Sequence, residues 1–126
     1  MRVWRIATDT LNYVADDLSG AGAKSTGGRW NSHGRAMLYC SETPSLACLE
    51  TLVHLEATGL PFNRYLVAID IPQQVWDARA ISVPERLSVG WDATPAGLVS
   101  VAYGDTWLTS MISAVLMLPS VIVPED

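Results

Sequence analysis

The sequence predicts a single α+β domain with a small, mostly antiparallel or mixed sheet. Three observations predict it. The chain has 126 residues, enough for one domain around one core. Hydrophobic residues make up 49% of it, which excludes a disordered chain. Its segments follow the order β-loop-β-α-β-loop-α-β, with no internal repeat or low-complexity linker between them.

Each element has a local signal. Val3–Ile6, within MRVWRIAT, reads as a first strand. The stretch 18–28, containing SGAGAKSTGG, reads as a glycine- and serine-rich loop. A turn at Ser32–Arg35 and a short strand Ala36–Cys40 follow Trp30. Thr43 caps a helix whose first position takes Pro44; it runs to about Ala57 and stops at Gly59. Arg64–Ile71 reads as a buried strand closed by Pro72, and Val75–Ala96 as irregular chain broken by prolines. Gly104-Asp105 opens a second helix, Thr106 to about Ala114, capped by Asp105. Leu116–Val123 is a last apolar strand, interrupted by Pro119-Ser120.

Composition narrows the function classes. A formal net charge of -5 argues against a nonspecific nucleic-acid binder, which needs a basic face, but leaves room for a nucleotide held by one local arginine. The N-terminus lacks the apolar stretch of a signal peptide, and no apolar run is long enough to span a bilayer, so the cytoplasm is the expected compartment. Two cysteines, Cys40 and Cys48, are too few for a metal cage and are expected to be reduced thiols in apolar surroundings. Five tryptophans are expected mostly in the core, with some free to line a pocket.

Four segments each put a polar side chain where a small fold prefers an apolar one: GGRWN with Arg29, MLYC with Tyr39, LACLETLVHL with Glu50 and LPSVIVP with Ser120. Glu50 points between Leu46, Ala47 and Ala57 on the helical wheel, with His54 one turn on along the same arc. It is expected to be at least half-buried, either in an ion pair with Arg29, Arg64 or His54 or opening into a cleft. Arg29 follows two glycines that let backbone approach a ligand, and its planar fork suits phosphate; a surface arginine is the plain alternative. The loop carries no Walker spacing. Tyr39 is a rim tyrosine or a stacking platform for a planar ring. Ser120 either bonds nearby backbone or serves the site. Cys48 and His54 lie six residues apart on one helix, on different faces, so a thiol dyad is disfavoured.

In this order, the WRI start, the GGRWN loop, the segment from Tyr39 through Pro44 and Glu50 to Leu55 and the final PSVIVP resemble the RES domain, a toxin family named for an arginine, a glutamate and a serine. The resemblance spans nearly the whole chain, so 1–126 is expected to be one RES domain. It implies a further asparagine-containing segment, roughly N-x-L-x-N-P, beyond the last proline, where this chain ends at Asp126. It implies an ADP-ribosyltransferase-like fold and consumption of NAD⁺ as substrate, by hydrolysis, by phosphorolysis or by transfer to a protein. The implied partner is an Xre-like helix-turn-helix antitoxin that covers the active site in a type II toxin–antitoxin system. A homodimer within that complex is a further expectation; direct nucleic-acid or membrane contact is not.

The residue types fit such chemistry. Breaking a nicotinamide–ribose bond develops positive charge on the sugar, which a carboxylate stabilises. Glu50 takes that role, Arg29 the pyrophosphate, and Tyr39 the nicotinamide face. Ser120 bonds the ribose or orients Glu50, with Ser113 as the alternative serine; Lys24 assists phosphate binding. Nicotinamide departs neutral, so no metal is required. Two other classes remain open: a catalytically weak module that binds a helix-turn-helix partner, and a small hydrolase using Ser or Cys with His54.

Overall fold

The computed structural model describes residues 1–9, 11, 14–52 and 64–125. The predicted helix end at Ala57–Gly59, and His54, lie outside the described residues. The described elements, in chain order, are β1 (Arg2–Thr8), α1 (Ala21–Thr26), α2 (Pro44–Leu52), β2 (Arg64–Asp70), α3 (Gln73–Asp77), β3 (Ala80–Ile81), a 3-10 turn (Pro84–Arg86), α4 (Leu98–Ser110) and β4 (Leu116–Met117). The domain is α+β, as the sequence predicts, but the described strands form two small sheets rather than one.

β1 and β2 pair antiparallel from Arg2↔Asp70 to Thr8↔Arg64. The bidentate Arg2–Asp70 pair at the sheet's end is exposed and contributes little. On its other side, among the described residues, β1 makes one bridge, where Trp4 N donates to Ser41 O at 2.8 Å and Ser41 N to Trp4 O at 2.7 Å. That bridge delivers the chain to α2, which starts as predicted: Leu46 N donates to Thr43 Oγ1 at 3.1 Å, and Pro44 takes the first helical position. α2 packs against β1, with Ala47 buried on the helix and Val3 and Ala7 on the strand. β3 and β4 pair in parallel, Ala80↔Leu116 and Ile81↔Met117.

Several expectations are corrected. The glycine-rich stretch contains a helix, α1, where a loop was expected; Lys24 N donates to Gly20 O and Gly27 N to Ala23 O. Gly20 (φ 76°) and Gly27 (φ 72°) carry the left-handed backbone that brackets so short a helix. Ala36–Cys40 is not a strand, because only Ser41 reaches β1. β2 is exposed or half-buried along its length, since among the described residues it is an edge strand paired only with β1. The region 75–96 is less irregular than expected, holding most of α3, then β3 and the 3-10 turn. α4 starts at Leu98, six residues before Gly104, and ends at Ser110 with Met111 left-handed (φ 53°). The last predicted strand shrinks to two residues, because Pro119 cannot donate to a ladder and the Ser120 hydroxyl takes the next amides instead.

Candidate active site

The GGRWN segment is a tight turn closed by Gly28 N donating to Asn31 O at 3.0 Å. Arg29, at its tip, is half-buried, and its Nη1 donates to Trp91 O at 3.2 Å and Ala93 O at 2.7 Å. One nitrogen therefore anchors the guanidinium. Among the described residues Nε and Nη2 make no hydrogen bond, which leaves the edge suited to bidentate recognition of phosphate.

Tyr39 lies beside this turn. Its hydroxyl accepts from Trp30 N at 3.0 Å and donates to Asn31 Oδ1 at 2.6 Å. The residue as a whole is 37% exposed, yet burial around the hydroxyl pushes the phenol up to about 12, so it stays protonated and donating. Asn31 is only 1% exposed; its Nδ2 donates to Ala23 O and Arg35 O at 2.9 Å each and to Ser32 O at 3.3 Å.

α4 supports the turn from behind. A Cβ on Gly104 would stand 1.6 Å from Trp30 O, so the helix meets the turn backbone-to-backbone. That contact explains why glycine occupies a helix interior. Asp105 does not cap a helix: its Oδ1 accepts from Ser32 N at 3.0 Å, and hydrogen bonding by Ser32, through its side chain first and its amide second, draws the carboxyl below the usual range. Trp30 is buried, stacked on Trp91 at 6.2 Å and edge-on to Tyr103 at 6.0 Å, worth about 0.5–1.5 kcal/mol per pair beyond area burial.

Glu50 projects half-buried from the last turns of α2. Ser120 Oγ donates to Glu50 Oε1 at 2.6 Å and accepts from Ile122 N and Val123 N, both at 3.1 Å. With its lone pairs taken by two amides, the hydroxyl has one proton to give, and it goes to the carboxylate. Among the described residues Oε2 accepts no hydrogen bond. Of the two candidate serines, only Ser120 reaches Glu50; Ser113 accepts from Trp107 Nε1 at 2.9 Å and donates to Val115 O.

The structure thus brings the four candidates together as two pairs, Arg29 with Tyr39 and Glu50 with Ser120. Among the described residues no hydrogen bond joins one pair to the other. Two surface grooves, one between β1, α2 and β2 and one along α4 beside Arg35, contain none of the four. Lys24 is exposed on α1. Arg29 and Arg64 form no ion pair with Glu50. Both cysteines are free and more exposed than expected, although desolvation still raises the Cys40 thiol. Asn31, Gly104 and Asp105 carry no independent signal as supports of the turn; only the GGRWN motif contained one of them.

Comparison with known proteins agrees with the motif reading. Residues 2–126 match the RES domain. The "Prs ADP-ribosylating toxin" of a Sphingobium species is 57% identical over 123 residues, covering 98% of this chain and 76% of the relative. A protein named "Toxin Res" from Yersinia enterocolitica is 35% identical over 127 positions, covering 100% and 80%. Another "Toxin Res", from Photorhabdus laumondii, is 38% identical over 114 residues, covering 90% and 71%. With its arginine on a braced turn and its glutamate bonded to the serine of the final segment, this chain belongs to the RES-domain toxin family.

Proposed function

We propose that the chain is a toxin that consumes NAD⁺ by cleaving the nicotinamide–ribose bond, on an ADP-ribosyltransferase-like fold. The observation that carries this reading is the Glu50–Ser120 pair: a half-buried carboxylate with one oxygen fixed by a hydroxyl that two amides hold in place. A fixed negative charge costs no reorganisation when positive charge develops on the sugar, and one such group is typically worth about 10²–10³ in rate. In this reading Glu50 Oε2 faces the ribose and Ser120 orients the carboxylate. The open edge of Arg29 pairs with the pyrophosphate, Lys24 adds charge nearby, and the accessible Tyr39 ring stacks on nicotinamide. The C1′–N bond breaks with its electron pair leaving on neutral nicotinamide, and an oxygen of water, phosphate or a protein side chain forms the new bond to C1′ and gives up its proton to solvent. The name of the Sphingobium relative favours a protein acceptor. A cytoplasmic toxin of this kind requires restraint; an Xre-like helix-turn-helix antitoxin covering the site, with a toxin homodimer in the complex, fits that need.

The test is mass spectrometry of products after purified protein meets NAD⁺ alone, with phosphate, and with a bacterial lysate. Free ADP-ribose identifies hydrolysis, phosphorylated ADP-ribose phosphorolysis, and a modified lysate protein transfer. NAD⁺ left intact in all three overturns the proposal.

A further inference from the structure

We infer that Asn31 is a positioning residue, a buried latch that holds Arg29 and Tyr39 in the geometry they need to receive a dinucleotide. The inference rests on the NAD⁺ reading of the same site.

Asn31 and Ser100 are the only side chains below 2% exposure among the described residues. Burying an amide is costly unless its capacity is used, and here it is used. The Nδ2 protons go to Ala23 O near the end of α1 and to Arg35 O beyond the turn; Oδ1 accepts from Tyr39. The main-chain carbonyl of the same residue takes Gly28 N, and the Tyr39 hydroxyl takes Trp30 N. Arg29 lies between Gly28 and Trp30, so both its chain neighbours are tied to the Asn31–Tyr39 unit. Gly28 leaves the latch room: a Cβ there would stand 2.8 Å from both Asn31 Oδ1 and the Tyr39 hydroxyl. The Tyr39 hydroxyl is spent on the latch, so what Tyr39 offers a substrate is its ring.

Asn31→Asp tests this. It keeps the volume and the Oδ1 acceptor but turns an oxygen towards the three carbonyls that Nδ2 faces. In the wild-type background the KM for NAD⁺ should rise on the order of tenfold to a hundredfold, with kcat changed less, as for a displaced binding group. In an Arg29→Ala background the same substitution should raise KM by a smaller factor than in the wild type, because the part of its effect that acts through Arg29 is already gone. Amide hydrogen exchange at Gly28 and Trp30 should accelerate. A full additional loss in the Arg29→Ala background, or unchanged exchange, overturns the inference. If Asn31→Asp does not fold, Tyr39→Phe removes both bonds of the hydroxyl, from Trp30 N and to Asn31 Oδ1, and enters the same cycle with the same expectations. If wild-type protein leaves NAD⁺ intact, the functional reading fails, and exchange at Gly28 and Trp30 alone decides whether the latch exists.

Discussion

The turn that carries Arg29 is held from four directions: by Asn31 to α1 and the 32–35 turn, by Tyr39, by Asp105, and by direct contact with Gly104. Glu50 stands on a regular helix and is oriented by one hydroxyl. The difference shows how a small domain divides its work. A turn has no ladder of its own, so its shape must come from distant side chains. A helix supplies position by itself, so a side chain on it needs only an orienting partner. Damage near Arg29 should therefore register first as lost structure, and damage at Glu50 as lost activity.

The sharpest way to break the comparison is at Gly104. An added methyl would meet a carbonyl oxygen of the main chain, which has no rotamer to escape into. Gly104→Ala should lower stability by more than the roughly 1–3 kcal/mol usual for overpacking. Chemical denaturation reads the effect, and wild-type stability in the variant would mean that α4 does not rest on Trp30.

Next comes Glu50→Gln, which keeps size and an acceptor for Ser120 but removes the charge. NAD⁺ consumption should fall about 10²–10³-fold while the unfolding free energy read by chemical denaturation changes by less than about 1 kcal/mol. Ser120→Ala should cost less, about 1.5–3 kcal/mol of transition-state stabilisation, or roughly ten- to a hundredfold. A Ser120→Ala enzyme with wild-type kinetics would remove the serine from the site, and a Glu50→Gln protein that unfolds would make Glu50 structural.

The smallest effect is a pH dependence at Tyr39. Its phenol lies near 10 in the unfolded chain and is pushed up to about 12 when folded. Between those values the unfolded state has lost its proton and the folded state has not, so the phenol's contribution is intact below about pH 10 and is lost as pH rises towards 12. Tyr39→Phe should be less stable than wild type at neutral pH, and the gap should narrow across that window. A constant gap would mean that the hydroxyl is not buried in the folded chain.

Much of the fold was legible in the residues because it rests on short-range signals. The β1 strand, the Thr43-Pro44 helix start and the α+β class follow from patterns within a few residues. Arg29, Tyr39, Glu50 and Ser120 were legible as misfits in apolar or glycine-rich surroundings. The start of α4 was not legible, because Gly104-Asp105 imitates a helix start. Its glycine instead serves a contact 74 positions away, at Trp30.

By itself, the sequence determined the class of the domain, the family, and the residue types available for chemistry, since these depend on composition and on motif order. Tertiary structure alone decided that Ser120 and not Ser113 meets Glu50, that Arg29 is anchored by carbonyls of Trp91 and Ala93, and that Asn31 sits at the centre of the turn. The reason is physical. Each of these outcomes pairs a donor with an acceptor brought near by folding, and an arginine, serine or asparagine can satisfy its hydrogen bonds with many partners; only the packed backbone selects which one is within 3 Å.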